Sequence, residues 1–225
     1  MGPLWLRTLL SNRGSGYCLC VLKSGARVCD TTSVNPRTPQ LATTFMPAIE
    51  TERLLLRMFG PEDLDELARL FRDPQVMRYV GDGLPVSREE TERALKSIIL
   101  HWQTHGFGRW AVVDRKTREF VGFGGLRSLF GMPEVVYHLA SAHWGKGLAT
   151  ELARASLRFG FKVHQFERIV AITKPLNAKS IHVMEKLGMH YEQHARYYDI
   201  DVVQYGISRE EFEPGDMAYM LKQET

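Results

Sequence analysis

The amino-acid sequence predicts a single domain of the mixed α/β class. From Glu52 onward, short apolar runs of strand length alternate with longer segments that place apolar residues on one helical face. Their order is one strand, two helices, three strands, a helix, a strand, a helix and two strands. The 225 residues, of which 44% are hydrophobic, suffice for one full core and an extension. We therefore expect one α/β domain at residues 48–225, without internal repeats.

Residues 1–47 differ in composition from the rest of the chain. Up to Met46 the segment contains five basic residues and a single acid, and it shows no sustained periodicity. We expect a basic, disordered extension or sequence upstream of a true start at Met46, with a targeting peptide as the next interpretation. Its three cysteines, Cys18, Cys20 and Cys29, lack a fourth ligand for zinc, so we expect no metal site.

Charge and hydropathy give no indication of a nucleic-acid or membrane partner, and we expect neither. The formal net charge is only +3, so electrostatics do not demand a nucleic acid or a membrane surface. No apolar run approaches the roughly 20 residues that span a bilayer. The presumed core contains no cysteine, which suits a reducing compartment and leads us to expect a cytoplasmic protein.

The first strand and helix are predicted by a change in pattern after residue 53. Residues 54–58 form an apolar run of strand length. A proline and two acids at residues 60–63 then predict a helix start, because proline and negative charge are both favoured in the first turn. Asp73 and Pro74 are expected to end this helix. The link at residues 77–81 is either a wall of a substrate pocket or ordinary packing between two helices.

A second helix and a hairpin follow. Ser87 and Glu90 have the spacing of a capping box, and Gly106 ends the apolar periodicity that they begin. Residues 109–114 and 120–126 predict two strands joined by a polar turn. Three glycines fall inside the second strand and no helix follows them. They therefore predict a bulge or a close backbone approach, and not a dinucleotide-binding loop.

The stretch around residue 146 predicts an anion site. Residues 135–139 read as a strand, Gly145 and Gly147 follow, and a strongly amphipathic helix begins at Leu148. A glycine turn at a helix N-terminus exposes backbone N–H groups at the positive end of the helix dipole. A phosphate is the most natural ligand for such a cradle, although a lone Gly-x-Gly is more often an ordinary turn.

The remaining elements are a strand, a helix and a hairpin. Residues 168–172 form a compact apolar run, and Asn177 then opens a helix that Gly188 closes. Residues 189–197 and 202–207 are expected to finish the domain as a hairpin.

Three motifs in this order resemble the GNAT acyl-CoA-dependent N-acetyltransferases. They are Trp-Gly-Lys-Gly-Leu-Ala at residues 144–149, Asn-x-x-Ser at residues 177–180 and Lys-Leu-Gly-Met at residues 186–189. The likeness runs from about residue 49 to about residue 212, and residues 50–57 are a typical opening of the branch named for enzymes that acetylate ribosomal-protein N-termini. The resemblance implies a mostly antiparallel mixed sheet, splayed at the acyl-CoA site and flanked by helices.

The resemblance also implies a donor site. In the family, backbone amides of the glycine loop bind the pyrophosphate of the acyl donor, and pantetheine lies between two splayed strands. Trp144 replaces the usual Gln or Arg, and Lys146 adds a point charge. Asn177 is expected to hold the pantetheine arm, to cap its helix, or both. The residues implied in donor binding are Leu139, Ala140, Gly145, Lys146, Gly147, Leu148, Ala149, Thr150, Asn177 and Ser180.

Acetyl transfer to an amine needs a base, an oxyanion donor and a group for the leaving thiolate. By resemblance, the base is Glu134, with His138 or water as rivals; the alternatives are a solvated Glu134 and a merely packed histidine. A backbone amide near Leu139 or Ala140 serves the oxyanion. Many members carry a tyrosine where this chain has Met184, so Ser180 is expected to assist the thiolate, unless it only caps its helix.

The expected function is transfer of an acetyl group from acetyl-CoA to a primary amine by direct attack in a ternary complex. The amine is a protein N-terminus or a small molecule, and Glu192, Asp199 and Asp201 are candidates to attract it if they are not merely solvated. The alternative is a catalytically inactive acyl-CoA-binding regulatory or interaction module. A homodimer is left open, and the sequence does not choose the acceptor.

Overall fold

A computed structural model describes residues 46–224 of the chain. The predictions made for the extension therefore lie outside the described residues, apart from its last two positions. Within residues 46–224, no helix is long and apolar enough to cross a membrane.

The described residues form nine strands and five α-helices. The strands are β1 (Met46–Glu50), β2 (Leu54–Arg57), β3 (Arg109–Asp114), β4 (Phe120–Leu129), β5 (Met132–Leu139), β6 (Arg168–Thr173), β7 (His190–Tyr197), β8 (Ile200–Ser208) and β9 (Met220–Glu224). The helices are α1 (Leu64–Arg72), α2 (Pro74–Met77), α3 (Arg88–His105), α4 (Leu148–Lys162) and α5 (Ala178–Lys186). The strands make one mixed sheet in the order β7-β8-β6-β5-β4-β3-β2-β1-β9. The predicted α/β class is confirmed.

The sheet is antiparallel throughout except at its centre. β5 and β6 run parallel, and their register contains a single pair, Glu134 with Val170. Beyond that pair the two strands diverge, so that a gap opens beside residues 135–139 of β5. This is the splayed, mostly antiparallel sheet that the family resemblance implied.

Helices cover both faces of the sheet. α4 packs on one face, where its Leu152 and Phe159 join Trp110 of β3 in the main core. α1 and α3 cover the other face, where Leu95 packs in a second cluster with Phe123 of β4. Side chains on β5 alternate between these two layers because successive residues of a strand point to opposite faces.

Local signals from the sequence are largely confirmed. The Ser87 hydroxyl accepts from the Glu90 amide at 3.2 Å, and the Glu90 carboxylate accepts from the Ser87 amide at 3.2 Å. Gly106 and Gly188 end their helices with φ of +71° and +80°. A Cβ on Gly122 would stand 2.2 Å from the carbonyl oxygen of His138, which is the close backbone approach predicted for this strand.

Two expectations need correction. Pro74 ends α1 but also begins α2, because the Asp73 carboxylate accepts from the Gln75 amide at 2.8 Å and caps a new turn. The predicted link at residues 77–81 therefore begins inside a helix. Strand β1 and the edge strand β9 were not predicted; β1 lies between β2 and β9 and pairs with both.

Candidate active site

The glycine loop connects β5 to α4. Gly145 and Gly147 adopt φ of +75° and +77°, a conformation that side chains with a Cβ rarely adopt. Helix α4 begins at Leu148, and no side chain among residues 46–224 caps this end. The first amides of α4 therefore remain available to an anion, as the positive end of a 15-residue helix.

Hydrogen bonds among Thr51, Arg53 and Glu151 hold the glycine loop in place. Glu151, in the first turn of α4, is only 7% exposed. Its carboxylate accepts from the Thr51 hydroxyl at 2.6 Å, from the Arg53 amide at 2.9 Å and from Arg53 Nε at 2.7 Å. Arg53 Nη1 also donates to the Lys146 carbonyl at 2.8 Å. The segment between β1 and β2 thereby holds the loop, and sequence reasoning missed this contact.

The backbone of β5 faces the gap on alternate residues. The Ala140 amide donates to the Val121 carbonyl of β4 at 2.9 Å. Because hydrogen-bonded and non-hydrogen-bonded pairs alternate in an antiparallel ladder, the Leu139 backbone faces away from β4 and into the gap. Of the two amides expected to serve the oxyanion, Ala140 is already engaged in the sheet. This corrects the prediction for Ala140 and leaves Leu139.

The N-terminus of α5 lies on the other side of the gap. Asn177 caps the helix, since its Oδ1 accepts from the Ser180 amide at 3.3 Å, while its Nδ2 donates to Thr173 Oγ1 at 3.0 Å. Both ends of this side chain are thus engaged within the protein. The Lys179 ammonium lies 4.7 Å from the Trp144 ring centroid, so α5 also contacts the glycine loop.

Ser180 contacts a tyrosine that sequence reasoning did not select. The Tyr137 hydroxyl lies 3.0 Å from Ser180 Oγ and donates to the Ser180 carbonyl at 3.1 Å. Burial raises the pKa of the Tyr137 hydroxyl above its usual range. No local pattern marks this pair, because the residues are 43 positions apart and meet only once β5 and α5 are packed together.

Glu134 lies on the opposite face of β5 from Tyr137. It is 1% exposed, and its carboxylate accepts from Arg127 Nε at 2.6 Å across the β4–β5 pair. The alternative interpretation, in which Glu134 is a solvated residue at the end of a strand, is therefore wrong. Glu134 is also the residue at which β5 still pairs with β6, so it marks the closed end of the gap.

His138 shares the Glu134 face of β5. Its ring stacks on Phe123 with centroids 4.7 Å apart, and its Nδ1 is buried without a hydrogen-bond partner among the described residues. Burial, reinforced by the charges of Arg127 and Arg109, lowers the pKa of His138 to about 3. An imidazole with that pKa is a weak base near neutral pH, which favours the packing interpretation.

A cavity of about 740 Å³ lies between the segment after α2, the loop after β6 and the β7–β8 turn. Its charged lining residues are Arg78, Asp82, Lys174, Asp199 and Asp201, and Tyr79 and Tyr198 add rings. The link that begins at residue 77 thus supplies a cavity wall. Two of the three predicted acids line the cavity, whereas Glu192 instead accepts from Arg168 Nε at 3.0 Å.

The structure describes no metal centre. Within residues 46–224, no three His, Cys, Asp or Glu side chains are grouped so that they could hold an ion. The prediction that Cys18, Cys20 and Cys29 form no metal site concerns residues outside this range.

Known proteins resemble this chain in both sequence and fold. Protein YkkB of Bacillus subtilis is 34% identical over 165 residues, which are 69% of this chain and 92% of YkkB. FsC-acetyl coenzyme A-N(2)-transacetylase of Aspergillus fumigatus is 28% identical over 186 residues, 74% of this chain and 78% of that enzyme. A GNAT-family acetyltransferase crystal structure from Bacillus anthracis superposes with a TM-score of 0.63 at 28% identity, covering 73% of this chain and 99% of that one.

The family comparison covers the described site. Residues 53–190 match the family described as Acetyltransferase (GNAT) domain. That range is more than half of the chain, and it contains the glycine loop, the gap and the Asn177 cap. The chain therefore belongs to the GNAT family of acetyl-CoA-dependent N-acetyltransferases.

Proposed function

We propose that this enzyme transfers an acetyl group from acetyl-CoA to a primary amine by direct attack in a ternary complex. The observation that carries the proposal is the adjacency of two features: the uncapped N-terminus of α4 and the gap that opens between β5 and β6. One suits a diphosphate and the other suits an extended amide-containing arm, and coenzyme A contains both.

The donor would be held mostly by backbone. Amides of residues 145–150 would bind the diphosphate, with Lys146 as an additional charge. The Leu139 amide would face the acyl end of the pantetheine arm, beside Ser180 and Asn177, while the Leu139 carbonyl accepts from Trp144 Nε1 at 2.8 Å. When bound, acetyl-CoA supplies a thioester carbonyl and a thiolate leaving group. The residues present fit this group, because Gly145 and Gly147 expose amides where a side chain would be strained.

Glu134 is the proposed base. Its carboxylate accepts from Arg127 Nε at 2.6 Å and stands at the closed end of the gap. Glu134 would therefore draw the ammonium proton directly or through one water molecule. His138 is a poorer choice, since burial holds its pKa at about 3.

Ser180 and Leu139 would act on the acyl group. The Leu139 amide would donate to the carbonyl oxygen as it gains negative charge. The Ser180 hydroxyl would donate to the sulfur as the acetyl–sulfur bond breaks. Met184 has no proton to offer at the position where many family members carry a tyrosine.

The acceptor would occupy the cavity lined by Asp199 and Asp201, whose carboxylates attract a cationic amine. We propose a protein N-terminus or a small-molecule amine, in keeping with the ribosomal-protein branch that the sequence resembles. The cytoplasmic location, the homodimer and the boundary at residue 48 stay predictions.

Calorimetric titration with acetyl-CoA tests donor binding. Gly147→Asp should abolish it, because the substitution puts a like charge and a strained residue in the diphosphate cradle. Gly131→Asp is the matched control, since Gly131 has a similar φ of +88° and lies in the β4–β5 turn, away from the loop. Absence of binding by the wild type would refute the proposal.

An amine and peptide panel, followed by thiol release from acetyl-CoA, tests catalysis. Ser180→Ala and Glu134→Gln should retain donor binding and reduce turnover. Normal turnover of either variant would remove that residue from the mechanism. Binding without transfer to any amine would favour the alternative, an inactive acyl-CoA-binding module.

A further inference from the structure

Tyr137 and Ser180 join the two walls of the gap through their hydroxyl groups. Tyr137 belongs to β5, Ser180 belongs to the first turn of α5, and their oxygens lie 3.0 Å apart. The Tyr137 ring packs against the main core, which fixes the direction of its hydroxyl. Ser180 is therefore held by a neighbour that is itself held by packing.

The two hydroxyl groups share two protons, and this count limits their arrangements. In one arrangement, Tyr137 donates to the Ser180 carbonyl at 3.1 Å and the Ser180 hydroxyl donates to the Tyr137 oxygen. In the other, Tyr137 donates to Ser180 Oγ, and the serine proton is free to point elsewhere. In the second arrangement Ser180 can direct its proton toward a ligand in the gap while its oxygen still accepts from Tyr137, so the tyrosine sets the direction of the serine hydroxyl.

The acidities show what the pair can do for a departing sulfur. A thiol has a pKa of about 8.5 and an unperturbed tyrosine one of about 10. Burial, together with the nearby charge of Glu134, raises the pKa of Tyr137 above that usual range. Full transfer of a proton from Tyr137 through Ser180 to the thiolate would therefore run uphill. A hydrogen bond to the thiolate carries no such cost.

We propose that Tyr137 is a positioning residue that turns the Ser180 hydroxyl toward the departing sulfur, so that the thiolate leaves hydrogen-bonded and not protonated. This inference rests on the proposed function. The acetyl–sulfur bond breaks with its electron pair on sulfur while the acetyl–nitrogen bond forms. Over the whole reaction the ammonium loses two protons; the thiolate takes one from solvent, and the other is released.

Tyr137→Phe tests the inference, since it removes the hydroxyl and keeps the ring. We expect kcat to fall about tenfold, the size of one charge-assisted hydrogen bond, with unchanged acetyl-CoA affinity by calorimetry. In the Ser180→Ala background, Tyr137→Phe should have no further effect on kcat. Tyr219→Phe is the matched control, because the buried Tyr219 hydroxyl has no hydrogen-bond partner among the described residues.

A pH profile separates positioning from acid catalysis. We expect kcat of Tyr137→Phe to be lower at every pH while its profile keeps the wild-type shape. A profile that loses its alkaline limb would show that Tyr137 supplies a proton, and it would overturn the inference. So would a wild-type kcat in Tyr137→Phe, or an equal loss in the Ser180→Ala background.

The result also distinguishes the inference from the function on which it rests. If the wild type releases no thiol with any amine, the proposed function fails and the inference fails with it. If the wild type turns over and Tyr137→Phe weakens donor binding without changing kcat, only the inference fails.

Discussion

Removing the carboxylate of Glu151 should destabilise the fold and weaken donor binding together. Glu151 is buried in the first turn of α4 and accepts three hydrogen bonds, from the Thr51 hydroxyl and from two nitrogens of Arg53. Arg53 also holds the Lys146 carbonyl of the glycine loop at 2.8 Å. Glu151→Ala would leave the Thr51 hydroxyl and the Arg53 amide without this acceptor, and it would free Arg53 to leave the loop.

The expected loss of stability follows from these contacts. A hydrogen bond to a charged group contributes about 1.5–3 kcal/mol, and Glu151→Ala removes two of them, from the Thr51 hydroxyl and the Arg53 amide. The loss lies at the lower end of their sum, because the Thr51 hydroxyl keeps the Leu54 carbonyl as an acceptor at 3.2 Å and Arg53 is exposed to water. The ion pair adds little, because the Arg53 side chain is 44% exposed and solvent screens its charge. We therefore expect the free energy of unfolding to fall by about 3 kcal/mol. We also expect a tenfold weaker affinity for acetyl-CoA, about 1.4 kcal/mol, because Arg53 no longer holds the Lys146 carbonyl of the glycine loop.

Urea unfolding and calorimetric titration measure the two quantities. Glu151→Gln keeps the shape and part of the hydrogen bonding, so its losses should be smaller in both assays. Arg69→Ala is the control: its ion pair with Glu66 is exposed at both ends and distant in sequence from the loop, so it should change neither by much. An unchanged affinity for acetyl-CoA in Glu151→Ala, despite the lower stability, would show that the contacts of Thr51, Arg53 and Glu151 do not shape the glycine loop.

Three further substitutions test the fold. In the folded protein His138 has a pKa of about 3, below the value of about 6.5 in the unfolded chain. Its contribution to the free energy of unfolding is therefore complete above pH 6.5 and is lost as the pH falls toward 3. Between pH 7 and 5 the free energy of unfolding of the wild type should fall by about 1–2 kcal/mol through this residue. In His138→Phe, urea unfolding at the two pH values should show a smaller difference. Gly122→Ala forces a Cβ to within 2.2 Å of the His138 carbonyl, so thermal unfolding should show a clearly lower Tm; an unchanged Tm would mean that β4 relaxes freely. Ser87→Ala removes the cap of α3 and should cost about 1 kcal/mol by urea unfolding, whereas Ser87→Asp should restore it.

Local sequence signals predicted most of the elements and the linear motifs of the site. The capping box at Ser87, the glycine ends at Gly106 and Gly188 and the loop at Gly145 each depend on residues within one or two turns. Such signals need no knowledge of how strands pair. The family resemblance then supplied the meaning of the loop, which periodicity alone left as a generic anion site.

Contacts between distant segments could not be predicted in the same way. Thr51 and Glu151 are 100 positions apart, and the Arg127 contact that buries Glu134 exists only in one register of β4 against β5. The pairing of β1 with the edge strand β9 was missed because the two strands come from opposite ends of the described residues. The sequence gives the residue types of these contacts, but the register decides which of them meet.

The single pair of Glu134 with Val170 divides the sheet into two unequal blocks. Six strands, from β9 to β5, lie on one side, and three strands, β6, β8 and β7, lie on the other. With so little backbone pairing between them, the smaller block can open without breaking any antiparallel ladder. A donor arm hydrogen-bonded to the Leu139 amide would lie between the two blocks and connect them as an additional strand would. Hydrogen exchange in β6 and β8 should therefore slow when acetyl-CoA binds, although most of these amides lie outside the donor site.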